Sequence, residues 1–147
     1  MIKKTIVEFG LLLEQSSIAL AEISESDSKK KSAPEKWSKK EILGHLIDSA
    51  ANNHQRFVRA QLSSELRIPG YEQQVWVATQ RYQSEPWANL IQMWKSYNLH
   101  LLHVISTIPE NAFGNYCIIG DNKPVTLEFV IEDYVRHLRH HIEQILE

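Results

Sequence analysis

Residues 38–58 read SKKEILGHLIDSAANNHQRFV. Ser38 followed three residues later by Glu41 is the pattern of a capping box, in which each side chain bonds the other residue's free backbone N–H. Apolar residues then recur at helical spacing and form one arc, made of Ile42, Leu43, Leu46, Ile47, Ala50, Phe57 and Val58. The stretch therefore predicts an amphipathic helix that begins at Ser38 and ends around Ser63 or Ser64.

Three further helical patterns flank this one. The first covers about Ile2 to Ile23, and a polar stretch with Pro34 follows it. The third begins with Ser84 as its N-cap and ends at Pro109. The fourth is capped by Thr126 and covers residues 127–146.

The four patterns predict an all-α fold, with residues 1–147 as one four-helix-bundle domain. The connection between the second and third helices, residues 65–83, is long enough for these two helices to run parallel. We therefore expect an up-down-down-up order. A short helix is expected near residues 72–79, and residues 116–125 fit a small hairpin.

Composition and charge exclude some classes of function. The formal net charge is −2, and no basic stripe is present, so we expect no nucleic-acid partner. No apolar run is long enough to span a membrane, and Glu8 and Glu14 interrupt the segment that otherwise resembles a signal peptide. Cys117 is the single cysteine, which favours a reducing compartment, and we therefore expect a cytoplasmic protein.

Three histidines cluster near the C-terminus, in the stretch DYVRHLRHHIEQI of residues 133–145. An α-helix turns about 100° per residue, so His137 and His141 share one side, at the edge of the apolar arc. His140 is turned about 100° away from His141, toward solvent. A histidine pair with this spacing is typical of metal sites, although a surface pair, or a buried histidine bonded to a carbonyl, fits an isolated pair as well.

A third histidine makes a metal site the favoured interpretation. His45 flanks the apolar arc of the second helix, on the side shared by Ser49, Asn52 and Arg56. Bundle sites are built from inward side chains on facing helices. The metal ligands we expect are therefore His45, His137 and His141, and three ligands leave the open positions typical of catalytic metals.

The remaining polar candidates have two interpretations each. Asp48 could orient a histidine or act as a base, but a polar residue on an exposed edge fits as well. Arg56 could bind a substrate carboxylate or form a surface salt bridge. His100 could donate a hydrogen bond to one of the ligands, or it could simply lie at the edge of the apolar arc of the third helix. His54 and His103 are expected to face away from the site. The last set, Tyr71, Trp76 and Tyr82, either walls the pocket or covers the core.

Two blocks of sequence resemble a known family. The block from Trp37 to Ser49 is similar to the second helix of the DinB/YfiT-like family, and the H-x-x-x-H block that starts at His137, followed by Gln144-Ile145, is similar to its last helix. The resemblance implies an up-down-down-up bundle that binds one divalent metal ion through His45, His137 and His141. Family members include S-transferases that use low-molecular-weight thiols such as bacillithiol or mycothiol, others are described as metal-dependent hydrolases, and some are homodimers.

The resulting functional hypothesis is a thiol S-transferase that depends on a divalent metal ion and acts on small electrophiles. Zinc or nickel is the expected ion, because both suit imidazole ligands. A metal-dependent hydrolase is the alternative, since the same shell can activate water. A non-catalytic, stress-related binding or dimerisation bundle is a third hypothesis, and a homodimer is a further expectation.

Overall fold

A computed structural model describes all 147 residues and contains the four predicted long helices. The helices are α1 (Ile2–Ala21), α2 (Glu25–Lys29), α3 (Lys39–Arg59), α4 (Gln73–Gln80), α5 (Trp87–Ser106) and α6 (Leu127–Leu146). The strands are β1 (Glu65–Ile68), β2 (Tyr116–Ile119) and β3 (Val125–Thr126). None of the helices combines the length and apolar character that a membrane span requires.

Helix α3 begins as predicted. The backbone N–H of Glu41 donates to Ser38 Oγ over 3.2 Å, and the N–H of Ser38 donates to Glu41 Oε1 over 3.0 Å, so the capping box is present. The predicted end near Ser63 is wrong, because α3 stops at Arg59. The side chain of Asn115 donates to the carbonyl of Ala60 over 2.8 Å, so a distant residue satisfies the helix end.

The four long helices enclose one hydrophobic core of 29 buried residues. Helices α1 and α3 each pack against both α5 and α6. Tyr134 lies near the middle of this core, where its ring contacts Phe9 and Phe57 edge-on at centroid distances of 5.9 and 5.5 Å. The core is therefore shared by helices that are far apart in the sequence.

Contacts between helix ends indicate the helix directions. Lys40, at the start of α3, donates to the carbonyl of Glu85 just before α5, and His54, near the end of α3, contacts Tyr97 inside α5. These are contacts that parallel helices make. The Nζ of Lys39 bonds to the carbonyl of Ile145, at the far end of α6, as in an antiparallel pair.

The all-α prediction is confirmed only in part: the chain is mostly helical, but a three-stranded sheet lies beside the bundle. Strand β1 pairs in parallel with β2, with Leu66 opposite Cys117. Strands β2 and β3 are antiparallel, which confirms the predicted hairpin. Polar and apolar residues alternate in β1, the two-residue period of a strand, but four residues are too few for that period to stand out in a sequence.

The predicted bounds around α1 and α5 also need correction. Helix α1 stops at Ala21, and α2 follows with Ser24 as its own cap. Ser84 lies in a 3₁₀ turn and does not cap α5, which begins at Trp87. The carboxylate of Glu25 accepts from the Trp87 N–H, over 3.3 Å to Oε2. A side chain from α2 thus takes the capping role, and local sequence cannot reveal such a contact.

The short helix α4 occurs within one residue of its predicted position and leads to Tyr82, which packs on α3. Arg81, directly before Tyr82, has a positive φ of 52°, and this backbone conformation turns the chain. A Cβ atom at Gly44 would lie 2.1 Å from the Tyr82 ring, far inside van der Waals contact. Only glycine at position 44 therefore allows the ring of Tyr82 to lie against α3.

We predict that Gly44→Ala destabilises the protein by about 1–3 kcal/mol, the typical cost of overpacking, despite the better helix propensity of alanine. Urea denaturation measures the free energy of unfolding. Gly10→Ala is the matched control, because a Cβ atom there lies 3.6 Å from Leu102, an ordinary contact. The control should be neutral or stabilising, and equal effects of the two substitutions would contradict the proposed Tyr82 contact.

Candidate metal centre

The histidines singled out from the sequence meet between α3 and α6. His45 Nε2 lies 3.2 Å from His137 Nε2, and the ring of His141 lies 4.9 Å from that of His45 and 4.5 Å from that of His137, measured between centroids. One potential ligand atom from each residue falls within 4.8 Å of the others. His140 is exposed, as its helical phase predicted.

Neighbouring side chains orient two of the three rings. His141 Nδ1 lies 2.9 Å from Gln144 Oε1, and because a carbonyl oxygen only accepts, Nδ1 donates and the Nε2 lone pair stays free. Trp37 packs on the ring of His45 at a centroid distance of 5.1 Å. His45 Nδ1 is buried without a hydrogen-bond partner, so packing and the contact of Nε2 with His137 hold this ring.

All three imidazoles favour the neutral form. Burial, together with the nearby His137 and His141, lowers the pKa of His45 to about 3. Burial and the neighbouring His141 lower the pKa of His137 to about 4, and burial also lowers the pKa of His141. At neutral pH the rings therefore present lone pairs, and the neutral ring is the form that binds metals.

The arrangement fits a divalent ion. Two imidazole ligands about 2.0–2.1 Å from a tetrahedral ion are separated by about 3.3 Å, close to the separation of the two Nε2 atoms. No carboxylate or thiol belongs to the cluster. A shell of neutral ligands leaves the charge of the ion uncompensated, which favours activation of a bound nucleophile.

Asp48 is buried, with 2% of its surface exposed, so the expectation of a polar residue on an exposed edge is wrong. Its Oδ1 accepts from the Tyr82 hydroxyl over 2.6 Å and from Gln80 Nε2 over 2.8 Å, while Oδ2 has no partner. Burial raises the pKa of this carboxyl group. Asp48 forms no hydrogen bond with His45; it holds the segment after α4 against α3.

A cleft of about 260 Å³ opens beside the histidine cluster. His137 lines one part of it, and Arg56 and Tyr71 line another. Trp76 packs edge-on against Tyr71, at a centroid distance of 5.1 Å. Tyr82 does not line this cleft. Arg56 forms no salt bridge, in contrast to one of the two interpretations of this residue.

The remaining histidines lie away from the cluster. His54 Nδ1 is 2.9 Å from the Tyr97 hydroxyl, and its ring contacts the exposed His100 at a centroid distance of 5.3 Å. His100 therefore contacts a histidine on the other side of α3 and not the three-histidine cluster. His103 is exposed.

Sequence reasoning missed the supporting roles of several residues. The position of Gln144, three residues after His141 and so on the same helix face, could have revealed its contact. The packing of Trp37 on His45 had no such signal, because Trp37 precedes α3 and its direction depends on the loop. The bond between Tyr82 and Asp48 joins residues 34 positions apart, and no local pattern reports it.

We predict that the metal-free protein loses stability as the pH falls below about 6.5. The unfolded chain binds protons on His45 and His137 near their ordinary pKa, while the folded protein resists protonation down to about 3 and 4, respectively. Stability therefore rises with pH in this window, by up to about 1.4 kcal/mol per pH unit for each proton.

Urea denaturation with a chelator at pH 7, 6 and 5 measures this slope. His45→Gln should flatten it, and His103→Gln, at an exposed position, is the control. A wild-type free energy of unfolding that does not change between pH 7 and pH 5 would contradict the prediction.

The profile of the DinB superfamily matches residues 11–145. YfiT from Bacillus subtilis, described as a probable metal-dependent hydrolase with an unusual four-helix bundle topology, superposes with a TM-score of 0.87 at 19% identity, over 98% of this chain and 83% of that protein. No curated protein matches.

A second solved structure is that of the mycothiol-dependent maleylpyruvate isomerase. It superposes with a TM-score of 0.81 at 12% identity over 99% of this chain, which spans 60% of that protein. At such identities the two structures show a shared fold alone. The family profile covers nearly the whole chain, and the resemblance seen in its two histidine blocks is confirmed: this chain belongs to the DinB superfamily.

Proposed function

We propose that this protein is a divalent-metal-dependent enzyme whose metal ligands are His45, His137 and His141, built on an up-down-down-up bundle. The observation that carries the proposal is the convergence of three neutral imidazoles beside an open cleft. A bound ion would lower the pKa of a thiol or a water molecule and so supply a nucleophile at neutral pH. Zinc and nickel are the ions we favour for an all-imidazole shell.

Other side chains orient the ligands or are placed to contact a substrate. Gln144 fixes the proton of His141 on Nδ1, and Trp37 holds the ring of His45. Of the two catalytic candidates, Arg56 lines the cleft and is placed to contact a substrate. Asp48 lies outside the lining of the cleft, and its hydrogen bonds support a positioning role through Tyr82.

The reaction that we favour is transfer of a low-molecular-weight thiol to a small electrophile. The structural likeness to an isomerase that depends on mycothiol supports this class. Metal-assisted hydrolysis is the second candidate, supported by the description of YfiT. The lone Cys117, a buried residue of strand β2, supports a reducing compartment such as the cytoplasm, and a homodimer is also part of the proposal.

We predict that zinc- or nickel-loaded protein accelerates the reaction of a thiol with 1-chloro-2,4-dinitrobenzene, in which sulfur bonds to carbon and chloride leaves. Absorbance of the thioether measures the rate for a panel of small thiols that includes bacillithiol and mycothiol. His137→Ala should lower the rate by at least about a hundredfold, as loss of a nucleophile-activating ligand implies. His140→Ala, one turn away and exposed, is the matched control and should keep the wild-type rate.

The hydrolase alternative is tested in parallel with 4-nitrophenyl acetate. Turnover of this ester without any thiol, lost in His137→Ala, would replace transfer by hydrolysis. No metal-dependent turnover in either assay would favour the non-catalytic bundle over both enzymes.

A further inference from the structure

The guanidinium group of Arg56 has no acidic partner in the fold. The side chain is half-buried, its Nε atom is buried without a hydrogen-bond partner, and its one hydrogen bond runs from Nη1 to Asn53 Oδ1 over 3.3 Å. No carboxylate forms an ion pair with it. An arginine stays charged in proteins, so withdrawing it from water without an anion is unfavourable.

The acidic residue of the same cleft is paired with another side chain. Asp133 lines the same cleft, but its carboxylate pairs with Arg136 on its own helix. The positive charge of Arg56 is therefore available to a molecule that enters the cleft.

The side chain of Arg56 extends toward the three-histidine cluster. Side chains on an α-helix tilt toward its N-terminus, so Arg56 reaches back along α3, and its bond to Asn53, three residues earlier, agrees with this direction. Ser49 and Asn53 continue the lining of the cleft on α3, and His137 contributes from α6. The cleft therefore has a cationic part and a part that reaches the histidine cluster.

We propose that Arg56 binds the carboxylate of a small molecule in this cleft; that this molecule is a substrate of the histidine site rests on the proposed function. The planar guanidinium offers two parallel N–H donors, which match the two oxygens of a carboxylate. The cleft has a volume of about 260 Å³, near the lower end of the usual range for ligand pockets of about 300–1,000 Å³, and Arg56 and Tyr71 also line a larger groove of about 790 Å³.

Apart from Asp133, whose carboxylate pairs with Arg136, the remaining lining fits such a ligand. The Tyr71 hydroxyl, which burial keeps protonated by raising its pKa, and the side chains of Ser49 and Asn53 supply further hydrogen-bonding groups. Apolar residues supply the rest of the contact surface, namely Ile119, Val125, Phe129 and Val130. A short organic acid with an apolar body satisfies both sets of groups.

The test uses 4-fluorobenzoate as the probe and ¹⁹F NMR titration of the full-length protein as the readout. A chelator is present throughout, so that no metal ion can bind the carboxylate, and circular dichroism checks the fold of each sample. We expect saturable binding to wild type and at least about a tenfold loss of affinity in Arg56→Gln, as for removal of a charged hydrogen-bond partner. Arg56→Lys should retain part of the affinity, since lysine keeps the positive charge but lacks the two parallel N–H donors of the guanidinium.

Two controls separate this site from general charge attraction. Arg59→Gln removes an exposed arginine one turn along α3 that does not line this cleft, and it should leave the affinity unchanged. The uncharged 4-fluorobenzamide should bind at least about tenfold more weakly than the acid. Equal affinity in wild type and Arg56→Gln, equal affinity for acid and amide, or no saturable binding to wild type would each overturn the proposal.

Failure here and failure of the proposed function are distinguishable. The metal content of wild type and Arg56→Gln is measured separately and should be the same, because Arg56 is not a ligand. Loss of probe binding with normal metal content removes the carboxylate site alone. Normal probe binding by a protein that takes up no metal removes the enzyme proposal alone.

Discussion

The first half of α3 is buried on every side, and the rest of the site depends on this constraint. Every residue from Ile42 to Ala50 is buried, although the segment includes the polar side chains of His45, Asp48 and Ser49. Buried polar groups are unfavourable unless they find partners. Asp48 finds Tyr82 and Gln80, whereas His45 meets His137 and His141. The histidine cluster thus follows from the burial of α3 between α5, α6 and the segment after α4.

The same constraint explains Gly44 and the long connection before α5. Because α3 is also covered by the segment after α4, a large side chain lies against it there, and the ring of Tyr82 fits only where α3 has no Cβ atom. The hydroxyl of this ring then satisfies one oxygen of Asp48. The long connection between α3 and α5 therefore both packs against α3 and supplies a hydrogen bond to the buried carboxylate of Asp48.

What could be predicted from the sequence is what depends on local periodicity. The capping boundaries at Ser38 and Thr126, and the phase that turns His137 and His141 inward and His140 outward, follow from helix geometry and agree with the structure. What could not be predicted depends on contacts between distant residues. Glu25 replaces Ser84 at the start of α5, and Asp48 is buried only because α4 and Tyr82 lie over it.

The proposed chemistry follows from a contrast between two groups that line one cleft. At the histidine cluster, burial keeps neutral lone pairs available for a cation, and elsewhere in the same cleft Arg56 keeps a charge available for an anion. A small acid that carries an electrophilic group would use both features. The DinB superfamily match shows the family and the two structural likenesses show the fold, whereas the proposed chemistry rests on the side chains of the cleft.

The central claim is that these three histidines bind one catalytic metal ion, and the most direct measurement is a crystal structure of the protein soaked with zinc, recorded at the zinc absorption edge. We predict one strong anomalous peak per chain, within about 2.0–2.1 Å of one nitrogen each of His45, His137 and His141, with further coordination positions facing the cleft. A peak at His54 and His100 instead, or no peak at the cluster under saturating zinc, would contradict the account.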